Sequence, residues 1–258
     1  MFAQGADLRT EPLGLRRRDY LDRAARGGYP EAMHRDTPRR RQRFFDSYLI
    51  VRDVKQVADI EHAADMRRLL SLLAAQTSGL LSVNRLAGEL SITAPTVRNY
   101  IEILETVFVV RRLPAWSAGT TTRTVGMPKV IFIDPGLAHT PTASATSDAP
   151  IGALIGNFVL SEIARQLTWS TVSARLYHYR DQYEVDGVLE DNTGNIVGIE
   201  IKAAETVRSN DFRGLRLLQR RLGPRFHAGL VLYCGSESLS FGDNLACLPI
   251  SALWTTPT

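Results

Sequence analysis

A chain of 258 residues with 44% hydrophobic and 22% charged residues has the balance of a globular protein with room for two domains. A net charge of +4 tolerates a nucleic-acid partner without demanding one, and no apolar run reaches the ~20 residues that a bilayer span needs, so no membrane partner is expected. Cys234 and Cys247 lie in apolar surroundings without metal-ligand spacing and with no signal peptide ahead of them, which points to buried thiols and a cytoplasmic location.

The first segment, residues 1–58, is densest in arginine at Arg16-Arg17-Arg18 and Arg39-Arg40-Arg41, with acidic residues interspersed as on solvated helix faces. Gly27-Gly28-Tyr29-Pro30-Glu31 reads as a turn between two helical patterns. The second pattern, Pro38 to Val54, carries Phe44, Tyr48 and Val51 at helical spacing. With so little core, the segment is either the tail of a larger domain or a piece that docks on the rest of the chain. A phosphate-binding P-loop needs a lysine directly after a glycine, and none of the three lysines (Lys55, Lys129, Lys202) follows one. No ATP binding is expected, and Val130 to Asp134 reads as a strand ending in a turn at Pro135-Gly136 rather than as a Walker B motif.

Residues 59–134 read as a winged helix-turn-helix. Met66 to Gln76 is a leucine-rich helix ended by Thr77-Ser78-Gly79, and Ser82 caps a short helix through Leu90. A turn at Ser91-Ile92-Thr93 leads to a third helix with Pro95 in its first turn and Val97, Tyr100, Ile101 and Leu104 on one apolar face. Two strands come next, Val107 to Leu113 and Lys129 to Ile133, joined by a Thr- and Gly-rich loop. In DNA-binding versions the third helix enters the major groove and the wing touches phosphates. Thr96, Arg98 and Asn99 on the helix and Arg123 on the wing are therefore the candidate nucleic-acid contacts, although winged helices also dock proteins.

Residues 135–150 include the small, polar, proline-bounded stretch His139 to Pro150 and read as a linker. Residues 151–258 form a second domain. Its first helix buries Leu154, Ile155, Phe158, Val159 and Ile163, and at ~100° per residue Glu162 lies about 40° from Phe158 and about 20° from Ile155. A carboxylate on an apolar face needs a metal or a partner charge, for which Arg180 is one choice.

Strand Leu176 to Arg180 precedes a hairpin, Tyr183 to Lys202, with Asp191 to Asn195 as its loop. Pairing Glu190 with Ile196 then places Asp186 opposite Glu200, with Lys202 on the same face. Facing carboxylates repel. They are tolerated at a wet surface or bind a cation, and open oxygen ligands suit Mg²⁺ or Mn²⁺. A lysine beside such an ion is the chemistry of phosphodiester cleavage, and lysine is a rare choice in a chain whose other basic residues are nearly all arginine. A helix from Ser209 to Leu222, an apolar strand from Ala228 to Cys234 and a short strand and helix near Trp254 complete an α-β-β-β-α-β order, so the fold class expected is α+β or α/β.

Glu162 on the first helix, Asp186 on the second strand and Glu200-x-Lys202 on the third resemble the PD-(D/E)xK nuclease superfamily. Gly27-Gly28-Tyr29-Pro30-Glu31, Arg52-Asp53, the winged helix, Asp134-x-Gly136, Asn157-Phe158-Val159, Tyr179-Arg180 and Glu184-Val185-Asp186 add a second resemblance. In order, they resemble a bacterial and archaeal family of AAA-type ATPases carrying a C-terminal domain of unknown function. In that family a P-loop ATPase domain precedes the Gly-Gly-[FY]-Pro-Glu region, so this chain resembles a member keeping only the C-terminal part, with residues 1–58 as the remnant of the ATPase domain. The resemblance implies a restriction-endonuclease-like domain with Asp186 and Glu200 holding Mg²⁺ or Mn²⁺, Glu162 completing the shell and Lys202 beside the attacking water. The family implies no settled substrate, and the partner expected from the winged helix and the acidic set is nucleic acid, DNA foremost, with a separate ATPase domain or subunit beside it. The alternative is a non-catalytic DNA-binding or protein-interaction module.

Overall fold

The computed structural model describes residues 5–8, 13–48, 63–117, 126–138 and 149–255. Arg52, Asp53 and the wing residue Arg123 lie outside them, as do residues 139–148 of the expected linker. The fold is mixed α+β, a helical N-terminal part followed by a sheet domain. Two compact units contain the described residues. One takes those of Asp22–Arg112 and Met127–Ser161, the other those of Met1–Leu21, Leu113–Gly126 and Glu162–Thr258.

The helical unit starts with α1 (Arg17–Arg26), whose last residues belong to it, then α2 (Pro30–Met33) and α3 (Pro38–Tyr48). The Tyr29 ring meets Phe44 and Phe45 edge-on, at 6.4 and 6.2 Å between centroids. The winged helix comes next as α4 (Ala63–Ala75), α5 (Val83–Leu90) and α6 (Ala94–Thr106), with strands β1 (Val110–Leu113) and β2 (Lys129–Phe132). The expected cap forms, Ser82 accepting from Arg85 N–H, and Thr93 of the expected turn also caps α6, accepting from Thr96 N–H. Met66, Leu69, Leu73, Leu86, Leu90, Val97, Ile101 and Leu104 are buried, so the apolar faces read from periodicity are the ones that pack. Strand β1 begins three residues later than Val107, because the Val107 N–H closes α6 on Ile103 and Phe108 turns the chain at φ +57.

After β2, Pro135–Ala138 forms a short helix, α7, with Leu137 buried. The next helix, α8 (Ala149–Gln166), carries Asn157 in the helical unit and Glu162 in the sheet unit. Asn157 is fully buried, and its amide lies beside β2: Oδ1 accepts from Phe132 N–H at 2.7 Å and Nδ2 donates to Phe132 O at 3.0 Å.

The sheet unit holds six strands: β3 (Ala174–Arg180), β4 (Glu184–Asp191), β5 (Ile196–Lys202), β6 (Phe226–Tyr233), β7 (Leu239–Ser240) and β8 (Leu245–Pro249). Their order is β3-β4-β5-β6-β8-β7. β3, β4 and β5 run antiparallel, whereas β5, β6 and β8 are parallel. The crossover from β5 to β6 is a 3-10 turn, Ser209–Phe212, and helix α9 (Arg213–Leu222).

Helix α9 packs on the sheet face that also bears Glu200 and Lys202. Gly198 makes room for it, since a Cβ there would stand 2.7 Å from Leu215 Cδ2. The final helix is a single 3-10 turn, Ile250–Leu253. At the other end of the chain, Tyr20 is wholly buried and its hydroxyl accepts from Ser251 N–H, while Arg17 N–H donates to Glu205. The first residues thus dock on the sheet, one of the two fates their thin core left open.

Candidate functional site

The hairpin is built by its loop. Asp191 Oδ1 accepts from the N–H groups of Thr193 and Asn195 at 2.9 and 2.8 Å, and Gly194 takes φ +84, which a side chain would resist. The ladder runs from Glu190 against Ile196, the pairing expected from the loop length, to Gly187 against Ile199, and ends one residue short of Asp186 and Glu200. There β4 is irregular: Val188 pairs with Tyr177 of β3 but Val185 with Tyr179, so Asp186 and Gly187 stand against His178 alone.

At that end of the strands the side chains gather. Asp186 Oδ2 accepts from Ile201 N–H at 3.0 Å. Lys202 Nζ lies 2.9 Å from Glu200 Oε1 and 3.8 Å from Asp211 Oδ1. Asp211 is fixed in turn by Arg208 N–H, which donates to its Oδ2 at 2.7 Å as the 3-10 turn opens. Burial works against the Lys202 charge, but the carboxylates of Glu200, Asp211 and Asp186 outweigh it and hold the ammonium above the usual lysine range. Three carboxylates around one ammonium leave the group net negative, at the carboxyl ends of parallel strands β5 and β6, where open sheets place their ligands.

Glu162 is not part of this group. Its Oε2 pairs with Arg165 at 2.5 Å, and its Oε1 accepts from Gln166 Nε2 at 2.9 Å and from Trp254 Nε1 at 3.0 Å. Burial raises its pKa, yet those donors win and hold the carboxyl below the usual range. The arginine partner is its own helix neighbour at i+3, while Arg180 lies 3.7 Å from Glu184 instead. Among the described residues no three His, Cys, Asp or Glu side chains converge as a metal-holding group.

On the winged helix, Arg98 and Asn99 are exposed and Thr96 is half-buried, its hydroxyl 2.8 Å from that of Thr93. Sequence reasoning missed Asp211. It lies nine residues beyond Lys202 with no periodic relation to the strand, and the crossover alone brings it near. The one signal was its position three residues after Arg208 at a helix start, the N3 place of a capping pair.

Comparison with known proteins gives two family matches. Residues 17–148 match a domain of unknown function (DUF8612), and residues 151–253 match another (DUF4143). Similar curated proteins are the uncharacterized protein Rv2008c of Mycobacterium tuberculosis (strain ATCC 25618 / H37Rv) and the uncharacterized protein Mb2031c of Mycobacterium bovis (strain ATCC BAA-935 / AF2122/97). Each is 27% identical over 261 residues, covering 96% of this chain and 57% of the relative. The chain therefore spans little more than half the length of these relatives.

Proposed function

Since the chain belongs to the family of the domain of unknown function DUF8612, which carries no activity with it, we propose a function from the site: divalent-metal-dependent cleavage of nucleic acid, with the winged helix as DNA reader. One observation carries it: Asp186 and Glu200 gather at the same end of β4 and β5, Asp186 Oδ2 accepting from Ile201 N–H at 3.0 Å and Glu200 Oε1 lying 2.9 Å from the Lys202 ammonium. The order α8, β3, β4, β5, α9, β6 around these residues supports a PD-(D/E)xK-like reading. In this proposal Asp186 and Glu200 hold Mg²⁺ or Mn²⁺, which would supply charge for activating water and polarising a phosphodiester. Lys202, released from Glu200, stays positive beside Asp211 and balances charge that develops on the phosphate. We also propose that the activity works with an AAA-type ATPase domain or subunit, on the ordered motifs and the greater length of the relatives.

A non-catalytic binding module is the second reading. It is favoured by Glu162, whose oxygens are committed to Arg165, Gln166 and Trp254 and so leave the acidic pair without a third carboxylate from α8.

Thermal unfolding with and without Mn²⁺, on wild type and Asp186→Asn, separates these readings. Binding to the native state alone should raise the wild-type midpoint and leave Asp186→Asn unmoved. Lys202→Ala should keep the metal shift and lose cleavage of a labelled oligonucleotide. Equal shifts in wild type and Asp186→Asn would remove the metal site. A selective shift without any cleavage by wild type would leave the binding module.

A further inference from the structure

From Phe212 to Ser236 the chain holds five arginines (Arg213, Arg216, Arg220, Arg221, Arg225) and no Asp or Glu. Two of them are spoken for by carboxylates: Arg221 pairs with Asp181, and Arg225 with Glu190 at 3.2 Å. Arg213 and Arg216 are held differently. Arg213 Nε donates to Asn210 O at 3.1 Å, and its guanidinium lies 5.4 Å from the Tyr183 ring centroid. Arg216 donates through one terminal nitrogen to Ser209 O at 2.7 Å and Ser209 Oγ at 3.1 Å, and lies 5.7 Å from the Phe212 ring. Neither has a carboxylate partner among the described residues, so neither charge is neutralised there. Each guanidinium has five N–H donors and spends only part of them on the turn.

Fixed position, full charge and spare planar donors are what recognition of a phosphate requires, and a rigid fork loses little entropy when it binds. The place is specific too. The carbonyls that anchor both arginines belong to Ser209 and Asn210, and the next residue is Asp211, 3.8 Å from Lys202. An ordinary solvated helix face would leave its arginines to solvent, as Arg220 is left.

We propose that Arg213 and Arg216 form a phosphate clamp for the backbone of a single nucleic-acid strand, seating it beside the Asp186–Glu200–Lys202 group. The inference rests on the cleavage reading for its purpose but not for its measurement, because the clamp needs no metal. Tyr183 and Phe212 are then the faces that hold the guanidinium planes while their edges meet phosphate oxygens. Aromatic backing also explains why these two positions need arginine: a lysine would carry the charge without the plane.

The test uses the full chain in EDTA with a fluorescent single strand of about 20 nucleotides, read by anisotropy at several salt concentrations. Arg213→Gln with Arg216→Gln should weaken binding roughly tenfold and lower the salt slope by about 1.4, two charges at ~0.7 each on a single strand. Arg175→Gln with Arg180→Gln removes the same charge from β3 and should change neither value to that extent. Should the double variant melt early, Arg213→Gln alone, at an exposed side chain, should give about half the slope change. Unchanged affinity and slope in a folded variant would overturn the clamp. So would an equal loss in the β3 control, or competition by polyglutamate as effective as by unlabelled oligonucleotide. The clamp is read in EDTA and the metal site by the Mn²⁺ shift of the wild-type midpoint, so a wild-type midpoint that Mn²⁺ does not move, with a lowered slope in the double variant, sinks the metal reading alone, and the reverse pattern sinks the clamp alone.

Discussion

At Asn157 one amide stands in for a strand neighbour, satisfying both the N–H and the C=O of Phe132, while its Oδ1 also accepts from Thr77 Oγ1 at 2.7 Å. No apolar residue of the same size could do this, which is why an asparagine lies in the otherwise apolar stretch 151–160 of α8. Cys234 shows what burial does to a titratable group. Desolvation pushes its thiol up to about 12, with Arg17 opposing and Glu205 reinforcing the shift. A raised acid is stabilising while protonated in both states, so that contribution is present below the ordinary thiol pKa and is lost as pH rises from there through about 12. Stability should therefore decline above about pH 9, and Cys234→Ala should decline less steeply over the same window. Denaturant melts of both proteins at pH 7 and pH 10 would show it, and parallel losses would refute the assignment.

Among the elements, the turn before α2 is held by a single acid. Asp134 Oδ2 accepts from Gly28 N–H at 2.7 Å, and its Oδ1 accepts from Gly136 N–H at 2.8 Å. Gly27 has φ +68, and a Cβ there would collide with Asp134 Oδ1. Gly27-Gly28 and Asp134-x-Gly136, distant in sequence, are thus two halves of one clasp. Gly27→Ala should cost about 1–3 kcal/mol from the left-handed backbone alone. Asp134→Ala should cost a similar about 1–3 kcal/mol for each stranded N–H. Because both changes open one clasp, the double variant should lose clearly less than the sum. Strict additivity in urea melts would mean that the two halves act separately. Helix α9 shows the opposite case. Over residues 209–222, periodicity gives Phe212, Leu215, Leu218 and Leu222 as inward, and the first three are buried and Leu222 half-buried, whereas the residue that the leading turn presents to Lys202 was not legible.

On the scale of the whole molecule, the two surfaces proposed to meet nucleic acid differ in kind. The exposed residues Arg98 and Asn99 of α6 suit a duplex groove, whereas the α9 arginines suit a backbone strand. Duplex affinity of the full chain should fall steeply with salt, and Arg98→Ala with Arg123→Ala should flatten the slope by roughly two charges. Electrophoretic shifts at graded salt would measure it, and an unchanged slope would move duplex binding off the winged helix. Asn157 ties the first half of α8 to the helical unit, although the amphipathic pattern gives the helix as a whole to the C-terminal domain.

Periodic patterns and turn chemistry were enough to determine the elements, the winged helix, the α-β-β-β-α-β order and even the hairpin register, because these arise from local geometry repeated along the chain. Loop residues Asp191 and Gly194 set the register from Glu190 against Ile196 to Gly187 against Ile199, which brings Asp186 and Glu200 to the same end of the two strands. The surroundings of that pair were a matter for the tertiary structure. A carboxylate on a helix face can turn to several partners, and only packing selected Arg165, Gln166 and Trp254 for Glu162. Likewise only the crossover brought Asp211 to Lys202, because the partners of a long charged side chain are decided by which distant backbone is folded next to it.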